Sequence, residues 1–373
     1  MTKYSYFGAV MIYRHLFQPL LFRIDAEQIH DRILKRLAEQ PWLLSPLQPW
    51  ANYSSPLLAQ RHWGLAFRNP IGLAAGFDKF GVALTAWNKL GFGFAEIGTI
   101  TGSAQPGNEK PRLFRLPADG ALINRFGFNN DGAEITAKRM SSRSSDIPIG
   151  VNIGKTKTVD LQRAVEDYVF SFQTLWNVAD YFVINVSSPN TPNLRQLQEK
   201  SSLLELLNQL SGLNRKLSTT TGAAARPVLV KIAPDLSRAQ LDDVLEVVGA
   251  TGVSGIVATN TTITRENLHA PEALAAETGG LSGKPIARRS TEVIRYIRQQ
   301  MGGKVVVIGV GGVFTADDAY DKIKAGASLI QVYTGFVYQG PLICRQLNRG
   351  LDRLLRRDGL RSITEAIGVE ASA

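Results

Sequence analysis

The sequence is poor in the residues that hold metals and disulfides. Its 373 residues include one cysteine, Cys344, and four histidines, at positions 15, 30, 62 and 269. A single thiol cannot form a disulfide within one chain, and it cannot hold an iron–sulfur cluster that needs several thiolates. The histidines show no metal-ligand spacing, and no HExxH-type motif occurs. We therefore expect no metal site.

The charged residues form no block of one sign. The net charge is +10, from 42 basic and 32 acidic residues, which would suit nucleic acid, an anionic membrane surface or an acidic substrate. No basic stretch is interleaved with aromatic residues in the way that marks a nucleic-acid-binding face. This distribution argues against a nucleic-acid partner.

Uncharged runs near the N-terminus are shorter than the roughly 18–20 residues needed to span a bilayer. Residues 1–24 carry three basic side chains, no acidic ones and several aromatic rings. Pro19 and Asp25 indicate a short helix followed by an amphipathic helix over "DAEQIHDRILKRLAEQ". The apolar stripe of the second helix is formed by Ile29, Ile33, Leu34 and Leu37. Such a pair suits a membrane interface, and a helical cap packed on the main domain is the alternative.

Eight short apolar runs alternate with longer helical segments from residue 69 onward. The runs are "NPIGLAAG" (69–76), "FAEIGTI" (94–100), "PIGVNIG" (148–154), "YFVINV" (181–186), "PVLVKI" (227–232), "GIVATN" (255–260), "VVVIGVGG" (305–312) and "LIQVYTG" (329–335). Such runs are typical of a parallel sheet buried on both faces, and their number favours an α/β fold, a (β/α)8 TIM barrel. In the alternative, an open doubly wound sheet, the glycine fingerprint should follow the first strand. Here the glycine-rich turns follow the seventh and eighth runs, where many barrels bind phosphate.

The chain divides into three parts on this pattern. Residues 1–68 are predicted to form an N-terminal helical extension, residues 69–357 the barrel, and residues 358–373 a C-terminal tail whose end we expect to be frayed. "EKPRLFRLPADGALINRFG" is predicted to form a hairpin inserted after the second barrel strand, with its turn at "ADG".

Polar residues follow nearly every predicted strand, at the end where barrel enzymes gather their catalytic groups. These residues are Lys79, Thr99, Asn152, Asn185, Ser188, Asn190, Lys231, Asn260, Thr261, Gly311, Gly312, Tyr333 and Thr334. The set contains no carboxylate pair, which argues against glycosidase chemistry. Its amides suit a flat heterocycle with C=O and N–H groups, its lysines suit an anion, and its glycine turns suit a phosphate. Flavin mononucleotide (FMN) together with a polar ring substrate would use all three kinds of group. A nicotinamide cofactor fits less well, because the sequence lacks the dinucleotide-binding fingerprint.

Two of these residues have other interpretations. Lys231 ends an apolar run, so its charge needs a partner, either an acid on a neighbouring strand or a carbonyl substrate bound as a Schiff base, as in barrel aldolases. Ser188 precedes Pro189, a position that is also typical of ordinary turn chemistry. The residues alone leave these alternatives open.

The chain contains, in this order, the stretches "NPIGLAAGFDK", "EIGTIT", "QPGNEKPRLFRL", "LINRFGFNN", "VNIGK", "NVSSPNTPNLR", "VKIAPDLS", "IVATNTT", "TGGLSGKP", "VIGVGGV" and "ASLIQVYTGF". In these stretches, their order and their spacing, it resembles the class 2 (quinone-linked) dihydroorotate dehydrogenases. The resemblance implies an FMN-containing (β/α)8 barrel that oxidises (S)-dihydroorotate to orotate in de novo pyrimidine (UMP) biosynthesis.

The resemblance also implies roles for individual residues. One FMN per chain would be bound by Ala75, Gly76, Phe77, Asp78, Lys79, Thr99, Asn152, Asn185, Lys231, Thr259, Gly283, Gly312, Tyr333 and Thr334. The substrate would contact Lys79, Asn124, Arg125, Phe126, Gly127, Phe128, Asn185, Asn190, Asn260 and Thr261. Ser188 would be the catalytic base while hydride passes to FMN, and Lys231 would stabilise negative charge on the reduced ring.

The same resemblance assigns a subclass. Class 1 relatives have a cysteine in place of Ser188, and those that use nicotinamide work with an iron–sulfur partner subunit, which we do not expect here. In class 2 the N-terminal helices lie on the membrane and form the quinone entrance, which favours the membrane interpretation of these helices. We therefore expect electrons to pass to ubiquinone or a similar quinone, in a bacterial protein attached peripherally to the cytoplasmic side of the cell membrane.

Overall fold

The eight apolar runs form parallel strands that close into a barrel. The computed structural model describes residues 13–142 and 145–371, and its elements are numbered in chain order. The strands are β1 (Gln60–His62), β2 (Leu65–Phe67), β3 (Ile71–Leu73), β4 (Phe94–Ile100), β5 (Leu113–Leu116), β6 (Ala121–Asn124), β7 (Ile149–Ile153), β8 (Tyr181–Asn185), β9 (Val228–Ile232), β10 (Gly255–Ala258), β11 (Gly280–Gly283), β12 (Val306–Val310) and β13 (Leu329–Val332). Around the barrel the order is β3, β4, β7, β8, β9, β10, β12 and β13, and β13 pairs with β3. This closure confirms the TIM barrel and excludes the open sheet.

Helices lie between successive barrel strands and cover the outer face of the barrel. The α-helices are α1 (Gln18–Leu21), α2 (Ala26–Glu39), α3 (Gln48–Ala51), α4 (Leu84–Lys89), α5 (Ala133–Ser141), α6 (Ala164–Leu175), α7 (Lys200–Thr221), α8 (Arg238–Thr251), α9 (Glu272–Ala275), α10 (Ala287–Met301), α11 (Ala316–Ala325), α12 (Thr334–Gln339) and α13 (Ile343–Arg357). Strand residues such as Ile184 and Val230 share one buried core with helix residues such as Leu206 and Val244. The strands therefore have no solvent-facing side, which explains their continuous apolar pattern.

A separate apolar layer fills the barrel at the N-terminal end of its strands. The layer is formed by Phe94, Tyr181, Val183, Leu229, Val257, Ile308 and Leu329. The hairpin β1–β2 closes this end with Trp63 and Phe67. This hairpin lies inside the N-terminal extension, which was predicted to be helical. Both residues of its turn, Trp63 and Gly64, have positive φ angles (55° and 80°), but the usual Asn-Gly or Asp-Gly signal of such a turn is missing.

The predicted inserted hairpin is present as the antiparallel pair β5–β6. Its turn ends at Gly120, which has a left-handed φ of 55°. Strand β11 adds a third, antiparallel strand next to β6. We did not predict β11, because "GLSG" has no β-branched residue and no alternation of apolar and polar side chains.

The two predicted N-terminal helices are α1 and α2. Asp25 caps α2 by accepting hydrogen bonds from the backbone N–H groups of Glu27 (3.1 Å) and Gln28 (2.9 Å). Glu27 anchors α2 to the inserted hairpin through Arg112, with 2.8 Å between Oε1 and Nη2. Burial raises the pKa of the Glu27 carboxyl, but the contacts with Arg112 and Lys110 outweigh burial and lower it overall. The extension is therefore fixed to the barrel by a buried ion pair.

The C-terminal tail is packed as far as Ala371, and the end that we expected to be frayed includes residues 372–373, which lie outside the described residues. Ile363 and Ala366 are fully buried, and the N–H of Gly368 donates to the carbonyl of Ile323 at 3.0 Å. The tail packs against α11 although it carries no recognisable motif, because a few apolar side chains are enough to anchor so short a segment.

Across residues 13–142 and 145–371, no helix is both long and apolar enough to cross a membrane. Residues 1–12, the first half of the predicted basic and aromatic segment, lie outside the described residues, as do residues 372–373 of the tail.

Candidate active site

Twelve of the predicted cofactor, substrate and catalytic residues meet at one polar cavity at the C-terminal mouth of the barrel. The cavity is lined by Ala75, Gly76, Lys79, Thr99, Asn124, Phe126, Gly127, Phe128, Asn129, Asn185, Ser188, Asn190 and Lys231. Of these, only Asn129 is absent from the sequence prediction. It directly follows the predicted segment, and its buried Oδ1 atom has no hydrogen-bond partner among the described residues. The strand ends therefore converge as the barrel fold requires.

Amide and hydroxyl side chains at the ends of β4, β7 and β8 form a hydrogen-bonded set. The Thr99 hydroxyl donates to Asn152 Oδ1 (2.6 Å), and Asn185 Nδ2 donates to Thr99 Oγ1 (2.9 Å). On its other side, Asn185 Oδ1 accepts from Asn260 Nδ2 (3.3 Å) and from the Ser187 hydroxyl (3.2 Å). Because both ends of the Asn185 amide are engaged, its orientation is fixed and the cavity wall has a defined pattern of donors and acceptors.

A buried carboxylate, Glu96, supports this set from inside the barrel. It accepts hydrogen bonds from Asn152 Nδ2 (2.7 Å) and Gln331 Nε2 (2.6 Å), and it lies 4.0 Å from Lys231 Nζ. Burial lowers the pKa of Lys231, and the charge of Glu96 opposes that shift. Lys231 thus has an acidic partner, although across the barrel on β4 rather than on an adjacent strand. Glu96 was not among the predicted site residues, which come from strand ends. The available signal was an acidic residue within an apolar run.

Ser188 lies in the loop after β8, with its side chain at the polar cavity and only 5% of the residue exposed. Its Oγ accepts a hydrogen bond from the N–H of Asn190 (3.2 Å), which is the turn contact that its position before proline suggested. Asn190 Nδ2 donates to the carbonyl of Asn124 (3.1 Å), and Arg195 Nε donates to the carbonyl of Ser187 (3.1 Å). The turn therefore holds Ser188 in place at the cavity. Its interpretation as a turn residue is thus compatible with its interpretation as a catalytic base.

Lys79 brings a buried positive charge to the same cavity. Its Nζ lies 4.0 Å from the centroid of the Phe126 ring. Desolvation lowers the pKa of Lys79 to about 8, with the carboxylates of Asp31 and Glu27 acting in the opposite direction. An ammonium group held in such an apolar setting is suited to binding an anionic group of a ligand.

A second group of predicted residues forms tight backbone turns near the cavity. Gly283 and Gly312 have φ angles of 102° and 70°. A Cβ atom on Gly283 would lie 3.0 Å from Thr334 Cγ2, and one on Gly312 would lie 2.4 Å from Ala287 Cβ. The hydroxyl of Thr334, at the start of α12, is 2.8 Å from that of Ser282. Only glycine fits these two turns. The Gly312 turn follows the seventh barrel strand, where barrels bind phosphate through backbone N–H groups, and Gly283 precedes α10.

Two further features suit a bound cofactor. The Oγ1 atom of Thr259 is buried and has no hydrogen-bond partner within the described structure. Gly76 has a φ of 89°, and its carbonyl accepts a hydrogen bond from the Tyr333 hydroxyl (3.4 Å). An unsatisfied buried hydroxyl next to a strand end is the kind of group that a polar ligand completes.

Eleven predicted residues are not in the lining of the polar cavity, namely Phe77, Asp78, Arg125, Asn152, Thr259, Asn260, Thr261, Gly283, Gly312, Tyr333 and Thr334. Three of them, Asp78, Arg125 and Thr261, are not part of the groups described above. Asp78 is fully buried and accepts a hydrogen bond from Trp87 Nε1 (3.1 Å). Arg125 forms an ion pair with Glu277 at 2.5 Å. Thr261 is also not part of the lining. The ligand-binding roles of these three residues, like those of all the other predicted site residues, stay predictions.

A second cavity, almost entirely apolar, lies between the N-terminal helices and the barrel. Its volume of about 390 Å³ is in the range of small-molecule sites. Its few polar side chains include His30 and Arg115. Desolvation lowers the pKa of His30 to about 3, so the imidazole is neutral at physiological pH. The family resemblance predicted a quinone entrance at these helices but not its lining, because the walls come from segments about 300 residues apart, such as Tyr13, whose hydroxyl donates to the Val337 carbonyl (2.8 Å).

The two cavities are separated by about one layer of residues. Phe77 lines the apolar cavity, and its chain neighbour Gly76 lines the polar one. Tyr333 also lines the apolar cavity, while its hydroxyl reaches the Gly76 carbonyl. The predicted cofactor residues Phe77 and Tyr333 thus stand between the two cavities, with their ring centroids 5.4 Å apart.

The side chains that the structure describes form no cluster of three or more His, Cys, Asp or Glu residues able to hold a metal ion. The thiol of Cys344 is free and buried.

Known proteins are similar to this chain in both sequence and fold. The sequence model of the family described as dihydroorotate dehydrogenase matches residues 57–355. The dihydroorotate dehydrogenase (quinone) of Gloeobacter violaceus is 50% identical over 360 residues, covering 96% of this chain and 98% of the relative. The protein of the same name from Roseiflexus sp. is 48% identical over 365 residues, with coverage of 96% and 98%. A crystal structure of DHODH from Eimeria tenella in complex with ferulenol is 37% identical, has a TM-score of 0.83, and covers 94% of this chain and 96% of that one. The chain therefore belongs to the dihydroorotate dehydrogenase family.

Proposed function

We propose that this protein oxidises (S)-dihydroorotate to orotate, a step of pyrimidine biosynthesis, with FMN in the polar cavity and a quinone as electron acceptor. The observation that carries the proposal is the pair of adjacent cavities with opposite chemistry, one polar and containing lysines, the other apolar. A charged ring substrate and a lipid-soluble quinone require these two environments. The relatives named as quinone enzymes support the choice of acceptor.

The residues at the barrel mouth fit FMN. Backbone N–H groups at Gly283 and Gly312 are suited to its phosphate. The free Oγ1 of Thr259 and the oriented amide of Asn185 are suited to its polar ring system. Lys231, paired with a carboxylate, supplies a positive charge at the floor of the cavity. FMN bound there would accept hydride from the substrate and pass the electrons on.

The amide side chains and Lys79 orient the substrate. Asn190 Nδ2 lies 3.3 Å from Asn124 Oδ1, and this pair offers both donors and acceptors to the ring amides. Lys79 is suited to the substrate carboxylate, and Ser188 removes the ring proton. Because a serine hydroxyl is a weak base, it must pass its proton onward. Thr191, in the same loop, has a buried Oγ1 without a partner among the described residues and is suited to receive it.

An anaerobic visible spectrum tests this proposal directly. The purified protein should show flavin absorption that bleaches when dihydroorotate is added and returns when a short-chain quinone follows. A flavin spectrum that dihydroorotate leaves unchanged would refute the substrate. A colourless protein that instead traps a carbonyl substrate on Lys231 under borohydride would replace the proposal with a Schiff-base aldolase.

We further propose that the N-terminal helices attach the protein to the cytoplasmic side of the cell membrane, where quinone enters the apolar cavity. Large exposed apolar side chains of this region are Leu16, Phe17, Leu20, Ile33, Trp42 and Leu43. Phe17 and Ile33 also line the apolar cavity. Exposed basic side chains on α2 include Arg32, Lys35 and Arg36. Apolar side chains next to basic ones suit an anionic bilayer surface that a protein contacts without spanning.

Removing apolar surface outside the cavity should separate membrane attachment from catalysis. In a variant that combines Leu16→Ser, Leu20→Ser and Leu43→Ser, we expect co-sedimentation with phosphatidylglycerol vesicles to weaken by about tenfold or more, because each side chain contributes roughly 1.5–3 kcal/mol when buried in lipid. Turnover with a long-chain quinone dissolved in the vesicles should fall in parallel, whereas turnover with a water-soluble short-chain quinone should not change.

A matched control replaces exposed apolar residues elsewhere, with Ile135→Ser, Phe170→Ser and Val369→Ser combined, and should retain vesicle binding. Equal loss of turnover with both quinones would show that the N-terminal residues support folding instead of membrane attachment.

A further inference from the structure

Lys322 is a buried lysine that the reaction described above does not use. It lies on α11, and 1% of the residue is exposed. Its Nζ donates hydrogen bonds to the Ala287 carbonyl (3.1 Å), to Ser290 Oγ (3.1 Å) and to Thr291 Oγ1 (2.9 Å). All three acceptors belong to the first two turns of α10. Lys322 therefore joins α11 to the beginning of α10.

The directions of these hydrogen bonds match those of a charged ammonium group. The Ser290 hydroxyl donates its own hydrogen to the Val310 carbonyl (2.6 Å), and the Thr291 hydroxyl donates to the Ala287 carbonyl (3.0 Å). Both hydroxyls are therefore acceptors toward Nζ. Three acceptors require three N–H hydrogens, which an ammonium has and a neutral amine does not.

This ammonium group has only neutral acceptors. The two acids nearest along its helix are engaged elsewhere, Asp318 with the N–H groups of Phe314 (2.9 Å) and Thr315 (2.8 Å), and Asp321 with Lys324 (3.5 Å). No carboxylate within the described residues forms an ion pair with Lys322. Burial lowers the pKa of Lys322 to about 7, against the weaker opposing effect of Asp318 and Asp321. A desolvated cation of this kind is stabilised when an anion binds nearby.

The glycine turn after β12 lies directly against the helix turn that Lys322 holds. A Cβ atom on Gly312 would lie 2.7 Å from Ala287 Cα, and one on Gly311 would lie 3.1 Å from Ser290 Cβ. Gly312 and Lys322 also border the same surface cleft. A change in the position of the first turn of α10 would therefore move the glycine turn.

We propose that Lys322 is a positioning residue for the phosphate group of the flavin: it fixes the start of α10 against the Gly311–Gly312 turn and places a positive charge behind that turn. The inference rests on the proposed FMN site. It predicts that Lys322 contributes to discrimination between FMN and riboflavin, which carries no phosphate.

Competition between the two flavins on the purified protein tests the inference. The protein is equilibrated with mixtures of FMN and riboflavin, desalted, and the bound flavins are separated and quantified. In Lys322→Gln, which keeps hydrogen-bonding capacity but loses the charge, the preference for FMN over riboflavin should fall by about tenfold. In the control Lys324→Gln, on the same helix, the preference should equal that of the unmodified protein.

A purely structural role of Lys322 would lower the binding of both flavins equally and leave their ratio unchanged, which would overturn the inference. Lys322→Met, which also removes the hydrogen bonds, provides a second variant if Lys322→Gln does not fold. If the unmodified protein binds neither flavin, the proposed function fails. If it prefers FMN and neither Lys322 variant alters that preference, the role of Lys322 alone fails.

Discussion

Replacing Ser188 with alanine should lower the rate at which dihydroorotate bleaches the flavin by about 10²–10⁴-fold, which is the usual contribution of a general base. The bound flavin should remain, because the Ser188 side chain contacts the backbone N–H of Asn190 and none of the side chains that form the amide set. The change removes one hydroxyl from a residue that is 5% exposed at the cavity, so the fold should tolerate it. Rapid mixing under anaerobic conditions measures this half-reaction without any contribution from the quinone.

Two further variants sharpen the test of the base. Ser188→Cys supplies a more acidic group at the same place and should recover part of the lost rate, more at higher pH as the thiol ionises. Thr191→Val should cause a smaller loss if Thr191 receives the proton, since water can take its place. Near-normal bleaching by Ser188→Ala at neutral pH would refute the assignment of the base.

The features that could be predicted from the sequence depend on local patterns. Each barrel strand is buried on both faces, so each appears as a continuous apolar run, and a polar residue at its end marks the barrel mouth. The motif around Ser188 could likewise be recognised from the sequence, because it is contiguous: Asn185 ends β8, and Ser188 and Asn190 lie in the loop that follows. These features required no knowledge of which distant segments meet.

The features that could not be predicted depend on contacts between distant segments. The walls of the apolar cavity come from segments that only the fold brings together, since His30 of α2 lies near Phe77 of the loop after β3, with ring centroids 4.8 Å apart. The Glu96–Lys231 pair crosses the interior of the barrel, and no local pattern links two residues so far apart in the chain. Strand β11 forms because β6 offers it an unpaired edge, although its own sequence has a low strand propensity.

Replacing Glu96 with alanine should be among the most destabilising single changes in the barrel. The substitution leaves the Lys231 ammonium without its acidic partner and the amide groups of Asn152 and Gln331 without the acceptor they share. Breaking a buried charged network in this way typically lowers the free energy of unfolding by about 3–5 kcal/mol. Urea-induced unfolding followed by circular dichroism measures the change.

Further variants of Glu96 and Lys231 separate the effect of the buried charge on stability from the effect of lost packing. Glu96→Gln keeps the side-chain volume and one acceptor, so its loss of stability should lie between those of the unmodified protein and Glu96→Ala. In the double variant Glu96→Leu with Lys231→Met, no buried charge remains, and stability should recover well above that of Glu96→Ala. A loss below about 1 kcal/mol in Glu96→Ala would mean that water replaces the carboxylate at little cost. Because Asn152 links Glu96 to Thr99 and Asn185, the substitution Glu96→Ala should also weaken flavin binding. Glu96 therefore supports both the barrel and its active site.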